Sequence, residues 1–226
     1  MNTKEDQHML YDCKGVIFDF NGTLFIDHDK HILAWGKISQ VIRGYDITPE
    51  ELVSHINGVP NNRIIEYMMG RPCSEEELTH YSLLKEAYYR DFCRADQPGL
   101  HLLAGAVEIF ETLQQQGIPF TIASASIKPN IDFFVESFDL AKWFDPDKII
   151  YDDGTYANKI KMFQHAADVI GVPMEECLIY EDSPSGIRNG YEAGCRHIVV
   201  IDSFGTAQGY EEKPGVVKVI RDFTER

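Results

Sequence analysis

The fold of this chain is decided by residues 16–24, which read VIFDFNGTL. An apolar run with strand character ends on the carboxylate of Asp19, and a turn around Gly22 follows. In α/β proteins, buried parallel strands present ligand-binding groups just beyond their carboxyl ends. An aspartate there, with a glycine that permits close backbone approach and the hydroxyl of Thr23, suits a nucleophile that faces a phosphoryl group. The alternative is a strand that ends at a solvated turn.

The composition is ordinary for a soluble globular protein, since 44% of the 226 residues are hydrophobic and 25% are charged. The formal net charge of −15 argues against a nucleic-acid or anionic-membrane partner. Five scattered cysteines without a C-x-x-C pair favour a reduced cytoplasmic chain over a disulfide framework or a zinc site. Residues 1–10 contain no apolar stretch for export, and no segment approaches a membrane span in length. We expect a cytoplasmic protein that is a monomer or a weak homodimer.

Strand-like runs alternate with helical patterns through most of the chain. Three further strand-like runs, each followed by a polar side chain, are residues 119–123, 177–180 and 197–201. Amphipathic helical patterns that end on glycine occupy residues 105–117, 161–171 and 184–194. This alternation predicts an α/β fold with a Rossmann-like parallel sheet and helices on both faces.

One segment breaks the alternation. Residues 27–98 show helical patterns over residues 33–43, 49–56, 63–69 and 75–93, and they contain no convincing buried strand. The Q-P-G punctuation at residues 97–99 returns the chain to the alternating form. We therefore expect residues 27–98 to form a small helical cap domain, inserted into a catalytic core of residues 1–26 and 99–226.

Reactive or anion-binding side chains are expected at four strand ends, namely Asp19, Ser124, Lys159 and the pair Glu181-Asp182. The D-x-x-G-T turn, the A-S-A-S segment, the lysine and the E-D-S-P-S-G segment occur in this order along the chain. In order and approximate spacing they resemble the motifs of the haloacid dehalogenase-like (HAD) hydrolases. The resemblance is to the branch with a helical cap, which includes the β-phosphoglucomutase-like phosphatases, and it covers nearly the whole chain.

The resemblance implies a phosphatase that depends on Mg²⁺ and acts on a small phosphorylated metabolite. Asp19 would attack phosphorus and form an aspartyl-phosphate, which water then cleaves. Asp19, Glu181 and Asp182 would hold Mg²⁺, because a hard cation prefers oxygen ligands. The resemblance adds the backbone carbonyl of Asn21 to this metal site.

Binding of the transferring phosphate is assigned to Gly22, Thr23, Ser124, Ala125 and Lys159. The lysine would also shield Asp19 from the phosphate dianion. The segment around the lysine is about two residues shorter than the family pattern, so Lys161 is the competing candidate. Two simpler interpretations remain open, since Ser124 and Asp182 could each serve as the N-cap of the helix that follows.

Asn21 departs from the family pattern, in which a second aspartate usually stands two residues after the nucleophile. That aspartate protonates the leaving oxygen and then activates water, a role worth roughly 10²–10⁴-fold in rate. Asparagine has no titratable proton. The substrate could have a good leaving group, His28 or another cap side chain could supply the proton, or the protein could be slow or a non-catalytic sensor of phosphate. A phosphomutase is disfavoured, because it needs proton transfer at both hydroxyls.

The cap is expected to set substrate specificity by closing over the sheet edge. Arg63 could bind a distal phosphate or carboxylate of the substrate, and the alternative is a surface arginine at the start of a helix. A dehalogenase is disfavoured because its chemistry needs no cation. Phosphonate hydrolysis through a lysine imine is disfavoured because no cap lysine stands out in the sequence as desolvated.

Overall fold

The computed structural model describes residues 13–206 and 208–225. Residues 1–10, from which the sequence predicts no export segment, lie outside the described residues. By their internal contacts the described residues form two compact units, one of residues 13–26 together with those from His101 onward, and the other of Asp27–Leu100. Of the helices in residues 13–206 and 208–225, none combines the length and apolar character that crossing a lipid bilayer requires.

The first unit is built on a six-stranded sheet in which all neighbouring strands run parallel. In chain order the strands are β1 (Gly15–Phe18), β2 (Phe120–Ile127), β3 (Ile150–Asp152), β4 (Cys177–Glu181), β5 (His197–Ile201) and β6 (Val216–Ile220). Across the sheet their order is β3-β2-β1-β4-β5-β6, so the order reverses between β1 and β4. Open α/β sheets bind ligands at the carboxyl end of such a reversal. The predicted Rossmann-like parallel core is confirmed.

The helices of the second unit come first in the chain. They are α1 (His28–Arg43), α2 (Pro49–Glu51, continued by a π-helical turn over Leu52–Ile56), α3 (Asn61–Met69) and α4 (Glu75–Ala95). The helices of the first unit are α5 (Ala106–Gln116), α6 (Lys128–Ser137), α7 (Lys159–Ile170) and α8 (Pro184–Ala193). Short 3₁₀ turns cover Leu140–Lys142, Pro146–Lys148, Met174–Glu176 and Phe223–Glu225.

Strand β1 is covered on both faces, which explains its uninterrupted apolar sequence. Successive side chains of a strand point to opposite faces of the sheet. Ile17 shares a buried cluster with Phe163 of α7. Phe18, on the other face, stacks on the ring of Tyr180 at 5.1 Å and meets Phe110 of α5 edge-on at 5.3 Å. Aromatic pairs in these arrangements add about 0.5–1.5 kcal/mol beyond their burial. This packing holds the end of β1 in a fixed position.

The second unit has a small core of its own. The buried residues of this core are Trp35, Ile38, Ile56, Ile64, Ile65 and Met68. Helix α4 begins at a capping box, in which the Ser74 hydroxyl accepts from the Glu77 N–H at 3.2 Å and the Glu77 carboxylate accepts from the Ser74 N–H at 2.9 Å. Such a box satisfies two backbone donors that the first helical turn leaves unpaired.

The second unit ends at Leu100, which is two residues beyond the predicted end of the cap at residue 98. The backbone N–H groups of Gly99 and Leu100 donate to the carbonyl of Asp96 at 3.1 and 3.0 Å. The Asp96 carboxylate in turn accepts from Lys30 at 2.6 Å. These bonds hold residues 99 and 100 to the end of α4, so they belong to the second unit.

Three elements were not predicted from the sequence, namely β3, β6 and α6. Strand β3 has only three residues, and β6 is an edge strand that is only partly buried, so neither shows a clear apolar pattern. Strand β2 also runs four residues further than predicted, to Ile127. Pro129 lies in the first turn of α6, the only helical position that proline tolerates well, and it sets where the helix can begin.

Candidate active site

Asp19 lies one residue beyond the end of β1, at the reversal of the strand order. Its backbone N–H donates to the carbonyl of Tyr180 in β4 at 2.9 Å, which continues the pairing of the two strands. The residue is only 6% exposed. The carboxylate therefore sits at the carboxyl edge of the sheet, in the place that the sequence predicts for a nucleophile.

The turn after Asp19 packs directly against Asp182. Gly22 has a φ of +79°, and a Cβ at this position would overlap the carboxylate oxygen Oδ2 of Asp182. The hydroxyl of Thr23 donates to Oδ1 of Asp182 at 3.3 Å. Glycine is thus required here both by the left-handed backbone and by the approach of a carboxylate.

The donors of this turn are engaged within the protein. The backbone N–H of Gly22 donates to the carbonyl of Phe25 at 2.8 Å, and that of Thr23 donates to the carbonyl of Phe20 at 3.3 Å. A role for Gly22 and Thr23 in positioning Asp182 follows from the geometry. Their binding of phosphate stays a prediction.

Lys159 reaches Asp19 from the first residue of α7, rather than from a strand end as expected. Its ammonium nitrogen lies 2.8 Å from Oδ1 of Asp19 and 2.6 Å from Oε1 of Glu181. Burial by itself would lower the pKa of Lys159, but the two carboxylates outweigh burial and raise the pKa above its ordinary value. Lys161, the competing candidate, instead donates to the side chain of Gln164 at 3.0 Å on an exposed helix face.

Glu181 is fully buried, and both its oxygens have protein partners. Oε1 accepts from Lys159, and Oε2 accepts from the backbone N–H of Ser183 at 2.6 Å and from its hydroxyl at 3.1 Å. Ser183 also caps α8, since its hydroxyl accepts from the N–H of Gly186 at 3.0 Å. The interpretation of Asp182 as the cap of this helix is therefore wrong, and Glu181 holds Lys159 beside Asp19.

Three carboxylates meet at this edge of the sheet. Asp19, Glu181 and Asp182 each offer an oxygen, and these oxygens lie within 4.8 Å of one another. Burial and the charge of Glu181 raise the pKa of Asp19 to about 7, against the opposing charge of Lys159. Burial, Glu181 and Asp19 raise the pKa of Asp182 to about 8. A divalent cation would offset this crowding of negative charge, and an all-oxygen donor set fits Mg²⁺.

Asn21 is tied to β2 by two serines. Its side-chain oxygen Oδ1 accepts from the hydroxyl of Ser124 at 3.2 Å and from that of Ser126 at 2.7 Å. The serines are two residues apart in a strand, which explains why they face the same neighbour. Ser126 was not predicted from the sequence as a site residue. Its spacing of two residues from Ser124 could have indicated it, because residues two apart in a strand face the same side.

The N-cap interpretation of Ser124 is wrong, as is its placement at a strand end. It lies inside β2, and α6 begins at Lys128 behind the N-cap residue Ile127. Ala125 lies between the two serines and is exposed. Its contribution to phosphate binding stays a prediction.

Arg63 belongs to the second unit. It lies in the first turns of α3, its side chain is 72% exposed, and it pairs with Glu66 at 3.3 Å. An exposed pair of this kind contributes little to stability. The role of Arg63 in binding a distal group of the substrate stays a prediction.

Two lysines of the second unit are buried, so the expectation that no cap lysine is desolvated was wrong. Lys30 donates to Asp29 at 2.5 Å and to Asp96 at 2.6 Å, and Lys85 donates to Glu86 at 2.8 Å. Burial would lower the pKa of Lys30, but the two carboxylates raise it. Imine chemistry needs a neutral amine, and Lys30 is held as an ammonium.

The close approach of α8 to Glu181 predicts a large loss of stability in Gly186→Ala. The added Cβ would overlap Oε1 of Glu181, which is buried and bonded to Lys159. We expect a loss of about 1–3 kcal/mol in the free energy of unfolding, measured by denaturant titration. Gly190→Ala on the same helix is the control, because its Cβ would meet only side-chain ends of Ile179 and Ile198, at 3.1 and 3.3 Å. Equal losses in the two variants would contradict this account of Gly186.

A family model described as haloacid dehalogenase-like hydrolase matches residues 13–194. The chain belongs to this family. A HAD hydrolase of family IA, variant 3, from Entamoeba histolytica HM-1:IMSS has a similar structure, with a TM-score of 0.88 and 33% sequence identity over 94% of this chain and 95% of that one. The resemblance inferred from the four motifs is therefore confirmed, and the chain is a member of a hydrolase family.

Curated relatives are more distant in sequence. Hexitol phosphatase A of Escherichia coli (strain K12) is 23% identical over 193 residues, which cover 84% of this HAD-like chain and 84% of the relative. The 6-phosphogluconate phosphatase of the same organism is 23% identical over 188 residues, which cover 80% of this chain and 79% of the relative.

Proposed function

We propose that this protein is a Mg²⁺-dependent phosphatase, which hydrolyses a small phosphorylated metabolite through an aspartyl-phosphate on Asp19. One observation carries the proposal. The Asp19 carboxylate lies 2.8 Å from the Lys159 ammonium, and its oxygen is within 4.8 Å of oxygens of Glu181 and Asp182. A nucleophile, a cation that neutralises phosphoryl oxygens and an oxygen-lined metal site are the parts that phosphoryl transfer requires.

Each residue has a role in this proposal. Asp19 attacks phosphorus, and Lys159 donates to the phosphoryl oxygens while it offsets the charge of Asp19. Asp19, Glu181 and Asp182, with the backbone carbonyl of Asn21, would hold the metal, and Glu181 also orients Lys159. When bound, Mg²⁺ neutralises charge that develops on the transferring phosphoryl group.

The substrate proposal draws on the relatives. Hexitol phosphatase A and 6-phosphogluconate phosphatase are both named for phosphorylated sugar derivatives. We propose a polyhydroxylated metabolite of similar size, with the helical unit acting as a cap and Arg63 binding a distal anionic group. Because the scattered cysteines favour a reducing compartment, the proposal places the protein in the cytoplasm.

A second candidate function is a non-catalytic sensor that binds phosphate, and the observation that favours it is Asn21. Aryl phosphates separate the two functions, because an aryloxide departs without help from an acid. Release of phosphate from 4-nitrophenyl phosphate with Mg²⁺, and its loss on chelation, would support the phosphatase. Phosphate binding without turnover would favour the sensor, and transfer to a second hydroxyl instead of water would indicate a phosphomutase.

Lys159→Met is expected to lower phosphate release from 4-nitrophenyl phosphate by roughly 10²–10³-fold, the usual effect of removing one group that stabilises transition-state charge. Lys161→Met is the matched control, since Lys161 lies two residues away on the same helix and its ammonium donates to the side chain of Gln164. The control is expected to keep full activity. Equal activity in the two variants would remove Lys159 from the proposed mechanism.

A further inference from the structure

We infer that the site is built for a substrate whose leaving oxygen is stable as an anion. Such a substrate is an anhydride that joins the transferred phosphate to a carboxylic acid or to a second phosphate. The inference rests on the proposed phosphatase function and narrows its substrate class. A sugar acid phosphorylated on its carboxylate satisfies both proposals, whereas a phosphate ester of an ordinary hydroxyl does not.

The first observation is that the hydroxyls beside Asn21 are committed to its side chain. Ser124 and Ser126 both donate to Asn21 Oδ1, at 3.2 and 2.7 Å. The Ser124 oxygen in turn accepts from the backbone N–H of Ser126 at 3.2 Å. A hydroxyl has one proton to donate, so neither serine directs a proton at a leaving group in this arrangement.

The second observation is that the other donors around Asp19 also bond protein oxygens. The Lys159 ammonium donates to Glu181 and lies at hydrogen-bond distance from Asp19. The Thr23 hydroxyl donates to Asp182. Asn21 itself carries no titratable proton. Lys159 and Thr23 thus serve to bind and position the carboxylates, and none of these three described side chains of the first unit is arranged as a general acid.

The first chemical step can be written without any proton transfer. A carboxylate oxygen of Asp19 forms a bond to phosphorus, and the bond from phosphorus to the leaving oxygen breaks, with the electron pair departing on that oxygen. For an acyl phosphate the product is a carboxylate, whose conjugate acid has a pKa of about 4. An alkoxide from a sugar hydroxyl is a far stronger base, and its departure depends on the general acid that Asn21 does not provide.

The second step balances in the same way but is slower. Water attacks phosphorus, the bond to Asp19 breaks, and both protons of the water leave with the product as dihydrogen phosphate. Asn21 cannot take a proton from the attacking water, so this step lacks a general base, a role worth roughly 10²–10⁴-fold. With an activated substrate the first step outruns the second, and the aspartyl-phosphate accumulates.

The test compares leaving groups in the whole protein with Mg²⁺ present. We expect acetyl phosphate to be hydrolysed with a kcat/KM roughly 10²–10⁴-fold above that for glycerol 3-phosphate. In a series of substituted phenyl phosphates, kcat/KM should fall steeply as the leaving-group pKa rises. Rapid mixing should show a burst of released phenol close to one per protein, and mass spectrometry of the quenched protein should show one added phosphoryl group.

The steep dependence on leaving group should become shallow in Asn21→Asp, which supplies a carboxyl group at the same position. Because the parent chain and the variant are compared on the same substrates, differences in the intrinsic lability of those substrates cancel. His28→Ala and Ser126→Ala examine the other possible proton sources. We expect the dependence to remain as steep in both variants as in the parent chain.

Three results would overturn the inference. One is a shallow dependence in the parent chain, with alkyl and acyl phosphates hydrolysed equally well. Another is a dependence that steepens in His28→Ala or Ser126→Ala, because that residue would then be the acid. The third is absence of both the burst and the phosphoryl adduct with 4-nitrophenyl phosphate. Each of these leaves a phosphatase in place, whereas no phosphate release from any substrate would overturn the proposed function as well.

Discussion

Asp19→Asn is expected to reduce phosphate release by roughly 10⁴-fold or more, the scale of effect seen when a covalent nucleophile is removed. The amide that replaces the carboxylate is a poor nucleophile and cannot form the phosphorylated intermediate. The substitution also removes a negative charge from a site where Asp19 meets Glu181 and Asp182. The variant should therefore fold at least as stably as the parent while it loses activity.

The measurement is phosphate release from 4-nitrophenyl phosphate, together with the mass of the protein quenched during turnover. Asp168→Asn is the matched control, because Asp168 is exposed on α7, the helix that carries Lys159. The control should keep both its activity and the phosphoryl adduct. Full turnover by Asp19→Asn would remove the aspartyl-phosphate from the mechanism.

Asn21→Asp is expected to raise kcat/KM for phosphate esters of ordinary hydroxyls by roughly 10²–10⁴-fold. Ser124 and Ser126 donate to Oδ1 of Asn21, and a carboxylate oxygen accepts the same two bonds, so the turn should be preserved. The new carboxyl group could protonate the leaving oxygen and then take a proton from water. The gain should be much smaller for acetyl phosphate, whose leaving group needs no proton.

Asn21→Leu separates a proton-transfer effect from a change in packing. Leucine has a similar size, but its side chain neither accepts hydrogen bonds from the serines nor carries a titratable proton. The activity of the Asn21→Leu variant toward alkyl phosphates should therefore not rise. Steady-state phosphate release from glycerol 3-phosphate and acetyl phosphate measures both effects. No gain from Asn21→Asp would show that proton transfer at this position does not limit the reaction.

The prediction of the core from sequence succeeded where burial is complete. Strand β1 is covered on both faces, so its apolar residues run without interruption up to Asp19, and the place where the strand ends can be read directly. Strands β3 and β6 lie at the two edges of the sheet and are only partly buried, so composition does not mark them. The helical pattern of the second unit could be predicted because its longer helices, α1, α3 and α4, each bury one side of their surface.

The candidate site was predicted as a set of residue types, but its contacts were not. The order of the motifs and their resemblance to the family pattern indicated Asp19, Lys159 and the acidic pair, although Lys159 lies at the start of a helix and not at a strand end. The choice between Lys159 and Lys161 depends on which side of α7 faces β1, and the structure brings Lys159 to 2.8 Å from Asp19. The hydrogen bond from Ser126 to Asn21 depends on how far β2 continues, and the end of a strand is difficult to predict from a single sequence.

By itself, the sequence determined the parallel α/β core, the identity of the nucleophile candidate and the absence of a titratable group at residue 21, because these depend on residue type and on local periodicity. Only the tertiary structure decided which groups share a contact. Glu181 orients Lys159 and Ser126 bonds Asn21, and each pair joins segments that lie far apart along the chain. Such contacts are set by the register of neighbouring strands and by the packing of α7 and α8 on the sheet. Both bring together residues that are separated along the chain, so the local sequence around either residue does not predict them.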